Sequence, residues 1–257
     1  MSSVDLNSDL GEGYGQWKLT DDASLLETVT SANVACGFHA GDAVTMRSVT
    51  ERAAAGGVAI GGHVSYNDLA GFGRRFVDVE PDVLRAEVTY QLGALAGFAR
   101  IAGSRVRYVK PHGALYNTIV HHKDQAMAVV EAIVDFDPGL PVLGLPGALW
   151  LDLAKDAGLR VMHEAFADRA YTPEGTLVSR REEGAVLHDP SLVAQRCVAM
   201  ATGQPIEDID GNQLTIRPDS ICVHGDTPGA VQIAREVRTA LEGAGVTVSP
   251  FSQMTGS

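Results

Sequence analysis

The sequence predicts an α/β fold, a single (β/α) barrel of about seven parallel strands, and three observations carry that prediction. Six apolar, strand-like runs each end in a His, Asp or Glu within a glycine-rich loop: VDLNSDLGEG, ANVACGFHAGD, VAIGGHVSYND, VRYVKPHGALYN, RVMHEAFADR and ICVHGD. Helical patterns alternate with these runs from end to end, which implies parallel strands joined by right-handed crossovers. The polar loops are scattered over nearly all the strand ends. A closed barrel converges such loops on one pocket better than an open doubly wound sheet does.

After the second run, AVTMRSVTERAAAGG reads as a helix stopped by Gly56 and Gly57. After the third, Pro81 opens a long segment in which Leu84, Val88, Leu95, Phe98 and Ala102 recur at helical spacing. Further helices are expected over about 124–136, 147–157 and 190–202. A last one, over about 227–242, carries Ala230, Ile233, Ala234, Val237 and Leu241 on one face. Short strands are expected near 141–145 and 184–187. No linker, low-complexity tract or fixed-period repeat interrupts residues 1–257, so the chain reads as one domain. Loop insertions near 67–79, with its GFGRR stretch, and 167–218 have the length of lids or binding loops.

The chain has 257 residues, of which 45% are hydrophobic and 20% charged. A domain of that size buries roughly three quarters of its unfolded surface and needs no disulfide or metal to hold a core. The net charge of -12, without an offsetting basic stripe, argues against a nucleic-acid partner. An acidic substrate would need local arginine, and the pairs Arg74-Arg75 and Arg180-Arg181 offer it. Cys36, Cys197 and Cys222 are odd in number, widely spaced and outside any CxxC motif, as expected of reduced thiols in the cytoplasm. The opening MSSVDLNSDLGEG lacks a signal peptide's basic and apolar regions. No apolar stretch approaches the roughly 20 residues of a membrane span.

The strand ends supply the chemistry. Asp9 and Glu12 in NSDLGEG are paired carboxylates that can divide acid and base roles, although an Asx turn or cap also suits Asp9. His39 reads as a base or metal ligand and Asp42 as the N-cap of the next helix. His63, on the neighbouring strand end, can share a ligand with His39. With Asp9 the two imidazoles form a set suited to a divalent metal, yet no compact signature such as HExxH accompanies them. Lys110 is one of four lysines and sits inside an apolar strand. Burying an ammonium is costly, so a role in polarising a carbonyl or steadying an anion is expected, with His112 as companion acid or base. Glu164 is the catalytic candidate of HEAFADRAY. Asp168 and Arg169 place a carboxylate and a guanidinium at the rim, where they can also pair with each other. His224 and Asp226 close the series, Asp226 also being a possible helix cap. P-loop and GxSxG motifs are absent, and GEGYG lacks the dinucleotide fingerprint.

Taken together, DLNSDLGEGYG, SANVACGFHAGD, GFGRR, VKPHGALYN, EAFADRAY and CVHGD resemble the LamB/YcsF family, in order and over nearly the whole chain. At GGHVSYND, family members typically read more like GAHP, so Val64 departs from the pattern while His63 stays in place. The resemblance implies a barrel of the glycoside hydrolase/deacetylase type. It also implies ATP-dependent opening of the 5-oxoproline lactam to L-glutamate by a 5-oxoprolinase complex of this subunit with two others. ATP would be a co-substrate, held in part by the partner subunits; a divalent metal is left open. On this reading Asp9 or Glu164 activates water and His39, His63 or His112 shuttles protons. Lys110 stabilises developing charge, and Arg74, Arg75, Asp168, Arg169, His224 and Asp226 contact the substrate. Two alternatives stand beside it: a metal-dependent carbohydrate deacetylase or glycosidase acting alone, and a non-catalytic lactam-binding subunit.

Overall fold

The structure is a computed structural model that describes residues 2–179, 181–225 and 229–253. Its elements follow in chain order as β1 (Ser3–Leu10), α1 (Asp22–Leu26), β2 (Ser31–Ala35), α2 (Ala43–Ala55), β3 (Ala59–His63), α3 (Pro81–Ile101), β4 (Val106–Val109), α4 (Gly113–Thr118), α5 (Lys123–Phe136), β5 (Val142–Gly144), α6 (Leu149–Asp156), β6 (Val161–Phe166), α7 (Pro190–Thr202), β7 (Ile206–Glu207), β8 (Gln213–Leu214), β9 (Ser220–Cys222), α8 (Ala230–Gly243) and β10 (Thr247–Val248). Seven parallel strands run in the order β1-β2-β3-β4-β5-β6-β9, and β9 pairs back onto β1 to close the barrel. β10 adds to the start of β1, and β7 and β8 form a separate antiparallel hairpin.

Local chemistry explains the helices that the sequence signals. Asp42 caps α2 by accepting from the Thr45 N–H at 2.8 Å. Pro81 and Pro190 open α3 and α7, where a missing N–H costs nothing. Leu84, Val88, Leu92 and Leu95 of α3 are buried in the layer between helices and barrel, with Leu6, Leu10, Val34, Ile60 and Val109 of the strands. Burial of such side chains contributes roughly 1.5–3 kcal/mol each.

Several elements depart from expectation. Residues 184–187 form no strand; Val186 makes only an isolated antiparallel bridge to Arg169. Irregular backbone bonds, such as Leu187 N–H to the Asp168 carbonyl at 2.8 Å, hold the segment, and the Arg169 guanidinium adds bonds to the Val178 and Ala185 carbonyls. The short helices α1 and α4 and strand β10 carry too few residues to show a periodic pattern. The last helix begins at Ala230, and Thr227, Pro228 and the expected cap Asp226 lie outside the described residues.

The barrel interior is polar, which positions the site. In β1 the alternation of a strand turns Asp5, Asn7 and Asp9 to one face and Leu6 and Leu10 to the other. Asp5 accepts from the Ser31 hydroxyl at 2.6 Å, the Thr30 hydroxyl at 2.7 Å and the Ser220 hydroxyl. Asn7 donates to Ser220 at 2.7 Å, and Asn33 donates to Asn7 at 2.7 Å and to Asp9 at 2.8 Å. Tyr108 enters the barrel beside Gly61, where a Cβ would fall 2.2 Å from the ring, and donates to Asn33 at 2.6 Å. Below this column Tyr108, Phe251, Leu143, Met162 and Ala59 make an apolar plug. Among the described residues no helix is long and apolar enough to cross a membrane.

Candidate active site

The polar column ends at the carboxyl ends of the strands, where Lys110 sits almost fully buried. Its ammonium lies 2.7 Å from Glu164 Oε1 and 3.2 Å from Asp9 Oδ1. It also donates to Asn7 Oδ1 and Cys222 Sγ, each at 3.3 Å. Burial alone would lower the lysine's pKa, but the carboxylates beside it, Asp9 first and then Glu164, raise it well above its usual value. Burial likewise opposes ionisation of Asp9, and the nearby His63 and Lys110 outweigh it, holding Asp9 well below the usual carboxylate range. Asp9 is thus a fixed anion. Glu164 is fully buried, and Tyr116 donates to its second oxygen at 3.0 Å. Burial keeps Cys222 a neutral thiol.

A second cluster adjoins the first. His63 Nε2 lies 3.4 Å from Asp9 Oδ1 and 2.9 Å from His112 Nδ1. His63 Nδ1 donates to the Lys110 carbonyl at 2.9 Å, and His112 Nε2 donates to the Phe72 carbonyl at 2.9 Å. The His39 ring stacks on His112 with centroids 3.7 Å apart, and its Nε2 lies 3.1 Å from Glu12 Oε1. Burial, then the neighbouring imidazoles, push His39 and His112 well below the usual histidine range, so both are neutral at pH 7. The loop over 67–79 roofs this cluster. Phe72 adopts a left-handed φ of 54°, uncommon for a bulky residue, and its ring packs edge-on against His39 and His112. At Gly73 (φ 63°) a Cβ would fall 2.7 Å from His39 Cβ and 2.8 Å from His112 Cδ2, so only glycine fits.

Across the barrel mouth, Asp168 Oδ1 lies 2.7 Å from His224 Nδ1. A carboxylate only accepts here, so the His224 Nδ1–H donates to Asp168 and Nε2 faces away from that carboxylate. The Phe166 ring stacks on His224 and fixes its plane. A cavity of about 730 Å³ brings together Asp9, Glu12, His63, Lys110, His112 and His224, with Arg74, Arg169 and Arg181 on its lining.

The predicted residues therefore divide. Asp9, Glu12, His39, His63, Lys110, His112 and Glu164 converge, but Glu164 is buried beneath Lys110 and lies outside the lining of the large cavity. Arg75 pairs with Asp68 away from that lining, whereas Arg74 lines it and stacks its guanidinium on Phe72 at 5.0 Å. Arg180 and Asp226 lie outside the described residues. Asn7, Asn33 and Tyr116 escaped sequence reasoning. The alternation of Asp5, Asn7 and Asp9 in a strand was the signal for Asn7. Two groups bring donor atoms within 4.8 Å of one another, Glu12 with His39, His63 and His112, and Asp9 with Cys222 and His224. The Lys110 ammonium stands 3.2–3.3 Å from two members of the second group and repels a cation there. Of the set anticipated from Asp9, His39 and His63, the two histidines fall in the first group, with Glu12 and His112, and Asp9 falls in the second.

Fold and site define an α/β barrel with buried acid–base groups at the carboxyl ends of its strands, the layout in which barrel enzymes carry their active sites. The chain belongs to the LamB/YcsF family, whose profile matches residues 4–256. A 5-oxoprolinase subunit of Cutibacterium acnes is 62% identical over 250 residues, covering 96% of this chain and 98% of its own. The crystal structure of the lactam utilization protein from Thermus thermophilus is similar with a TM-score of 0.92 and 42% identity, covering 96% of this chain and 99% of that one. A polysaccharide deacetylase from Bacillus cereus, 12% identical with a TM-score of 0.50 over 97% of this chain and 91% of its own, shares the barrel fold alone.

Proposed function

We propose that this chain is the lactam-handling subunit of a cytoplasmic, ATP-dependent 5-oxoprolinase that opens 5-oxoproline to L-glutamate together with partner subunits. The observation that carries the reading is the meeting of His224, held by Asp168, with a fixed anion, Asp9, in one cavity whose lining includes Arg74. The name of the curated relative supplies the substrate and the expectation of further subunits.

The roles follow from the electrostatics. A lactam amide is a poor electrophile, and phosphorylation of its oxygen by ATP gives an imidate-like species that water can attack. The chain has no P-loop, in keeping with partner subunits holding part of the nucleotide. His224, oriented by Asp168, takes the proton from the attacking water as its oxygen bonds to the ring carbon. The C–N bond then breaks, the same imidazole returns a proton to the ring nitrogen, and the acyl phosphate so formed is hydrolysed by a second water to L-glutamate and phosphate. Asp9 is too weak a base to compete for that proton. As a fixed carboxylate it accepts a hydrogen bond from the lactam N–H and stabilises the positive charge that grows on nitrogen. Lys110 stabilises negative charge at the reacting oxygen, and Glu164 and Tyr116 position it. Arg74 pairs with the substrate carboxylate.

Glutamate release from 5-oxoproline and ATP, measured with the purified chain alone and with its co-expressed partner subunits, tests the reading. Release only by the mixture is expected. No release by a mixture shown to be folded and assembled would overturn it.

A further inference from the structure

Four donor atoms of the histidine cluster converge beside the cavity. His63 Nδ1 donates to the Lys110 carbonyl and His112 Nε2 donates to the Phe72 carbonyl, so the opposite nitrogens of the two rings, His63 Nε2 and His112 Nδ1, turn toward each other at 2.9 Å. Glu12 adds a buried carboxylate, 3.6 Å from His112 Nδ1 and 3.1 Å from His39 Nε2. His39 is fully buried, and its Nδ1 has no hydrogen-bond partner among the described residues. The four donor atoms lie within 4.8 Å of one another.

We propose that Glu12 Oε1, His39 Nε2, His63 Nε2 and His112 Nδ1 bind one divalent transition-metal ion. Three imidazoles and one carboxylate suit zinc, cobalt or manganese and disfavour calcium or magnesium, which take oxygen ligands. A single shared proton would serve only the His63–His112 pair, whereas an ion at the common centre of the four donor atoms contacts Glu12 and His39 as well. Two of the three imidazoles are already held by backbone carbonyls on their far nitrogens, the outer-shell support that metal-binding histidines have. The roof is built for this purpose. The left-handed turn at Phe72 aims a carbonyl at His112, and Gly73 lets the loop close on the cluster. Glu12, His63 and His112 also line the cavity, so the ion would border it. The inference does not depend on the lactam reading, because it concerns binding alone.

The test is cobalt binding by the full chain after chelator treatment, read by visible d–d absorption and by elemental analysis. One equivalent per chain is expected. His63→Ala and His112→Ala should each weaken binding by at least ~10-fold, the scale on which even outer-shell changes act. Glu12→Gln, a near-isosteric change, repeats the test should the alanine variants fail to fold. Asp9→Asn should keep the full equivalent, since Asp9 is not a ligand. Binding below about a tenth of an equivalent by the folded wild-type chain would overturn the proposal. So would unchanged affinity in both Glu12→Gln and His112→Ala.

Discussion

Replacing Lys110 by methionine removes one buried ammonium and leaves two carboxylates without it. Glu164 loses a partner at 2.7 Å and Asp9 one at 3.2 Å. Methionine matches the lysine stem in volume, so the loss is electrostatic rather than a cavity. Removing one partner of a buried pair costs about 3–5 kcal/mol. For a chain of this size that is a fall in Tm of roughly 10–15 °C. The sign with pH follows from the shifts. In the wild type, Asp9 is held well below its usual range, so it contributes stability present above the unfolded carboxylate pKa and lost as pH falls through its folded pKa. In Lys110→Met, burial of Asp9 and Glu164 is no longer opposed by the ammonium. The folded pKa of Asp9 rises, and lowering the pH from 7.5 to 5 restores stability. Guanidinium unfolding at both pH values is the assay. The gap between wild type and variant should be about 3–5 kcal/mol at pH 7.5 and clearly smaller at pH 5. Adding Glu164→Gln should recover at least ~1 kcal/mol, because one buried charge is removed. A loss below ~1 kcal/mol at pH 7.5, or an equal loss at both pH values, would refute the reasoning.

Three further outcomes follow from the same structure. His224→Gln and Asp168→Asn should each lower kcat by about 10²–10⁴ in the assembled complex while leaving the Tm within a few degrees; steady-state kinetics with matched melts checks this. Asp5 is raised from 3.8 to about 6 by burial, against the hydroxyls of Ser220, Ser31 and Thr30. Its contribution is full below the unfolded pKa and lost as pH rises through 6. Asp5→Asn should therefore gain on the wild type by about 3 kcal/mol between pH 4 and pH 7, read by urea unfolding across that window. Gly73→Ala places a methyl against His39 and His112 at a left-handed φ, so a destabilisation of at least ~1 kcal/mol and loss of glutamate formation are expected. Gly57→Ala, also at positive φ but with open space around it, should cost stability without touching activity.

The barrel was legible because each strand announces itself twice, by its apolar run and by the polar residue that ends it. β5 showed only as a short apolar stretch, since it has three residues. What the sequence hides is pairing over distance. His224 and Asp168 stand 56 positions apart, and nothing local to either tells that they meet. Asp168 and its neighbour Arg169 looked like partners, yet the Arg169 guanidinium reaches the Val178 and Ala185 carbonyls. That Glu164 ends up buried 2.7 Å from the Lys110 ammonium is set by its register in β6, which the local sequence does not show. Which of Asp9 and Glu12 Lys110 reaches could not be read locally, because it is decided by the register of β1 against β2 and β9. The polar column was readable in principle, as alternate polar residues in DLNSD demand an inner face that is not apolar.

The central claim is that the barrel mouth of this subunit performs the ring-opening step. The most direct test is to assemble the complex with His224→Gln in this chain and to measure phosphate and glutamate separately from 5-oxoproline and ATP. The account predicts that glutamate falls at least ~100-fold while phosphate release continues, so the two products uncouple. Glutamate formation close to the wild-type rate would contradict it and place the ring opening elsewhere in the complex.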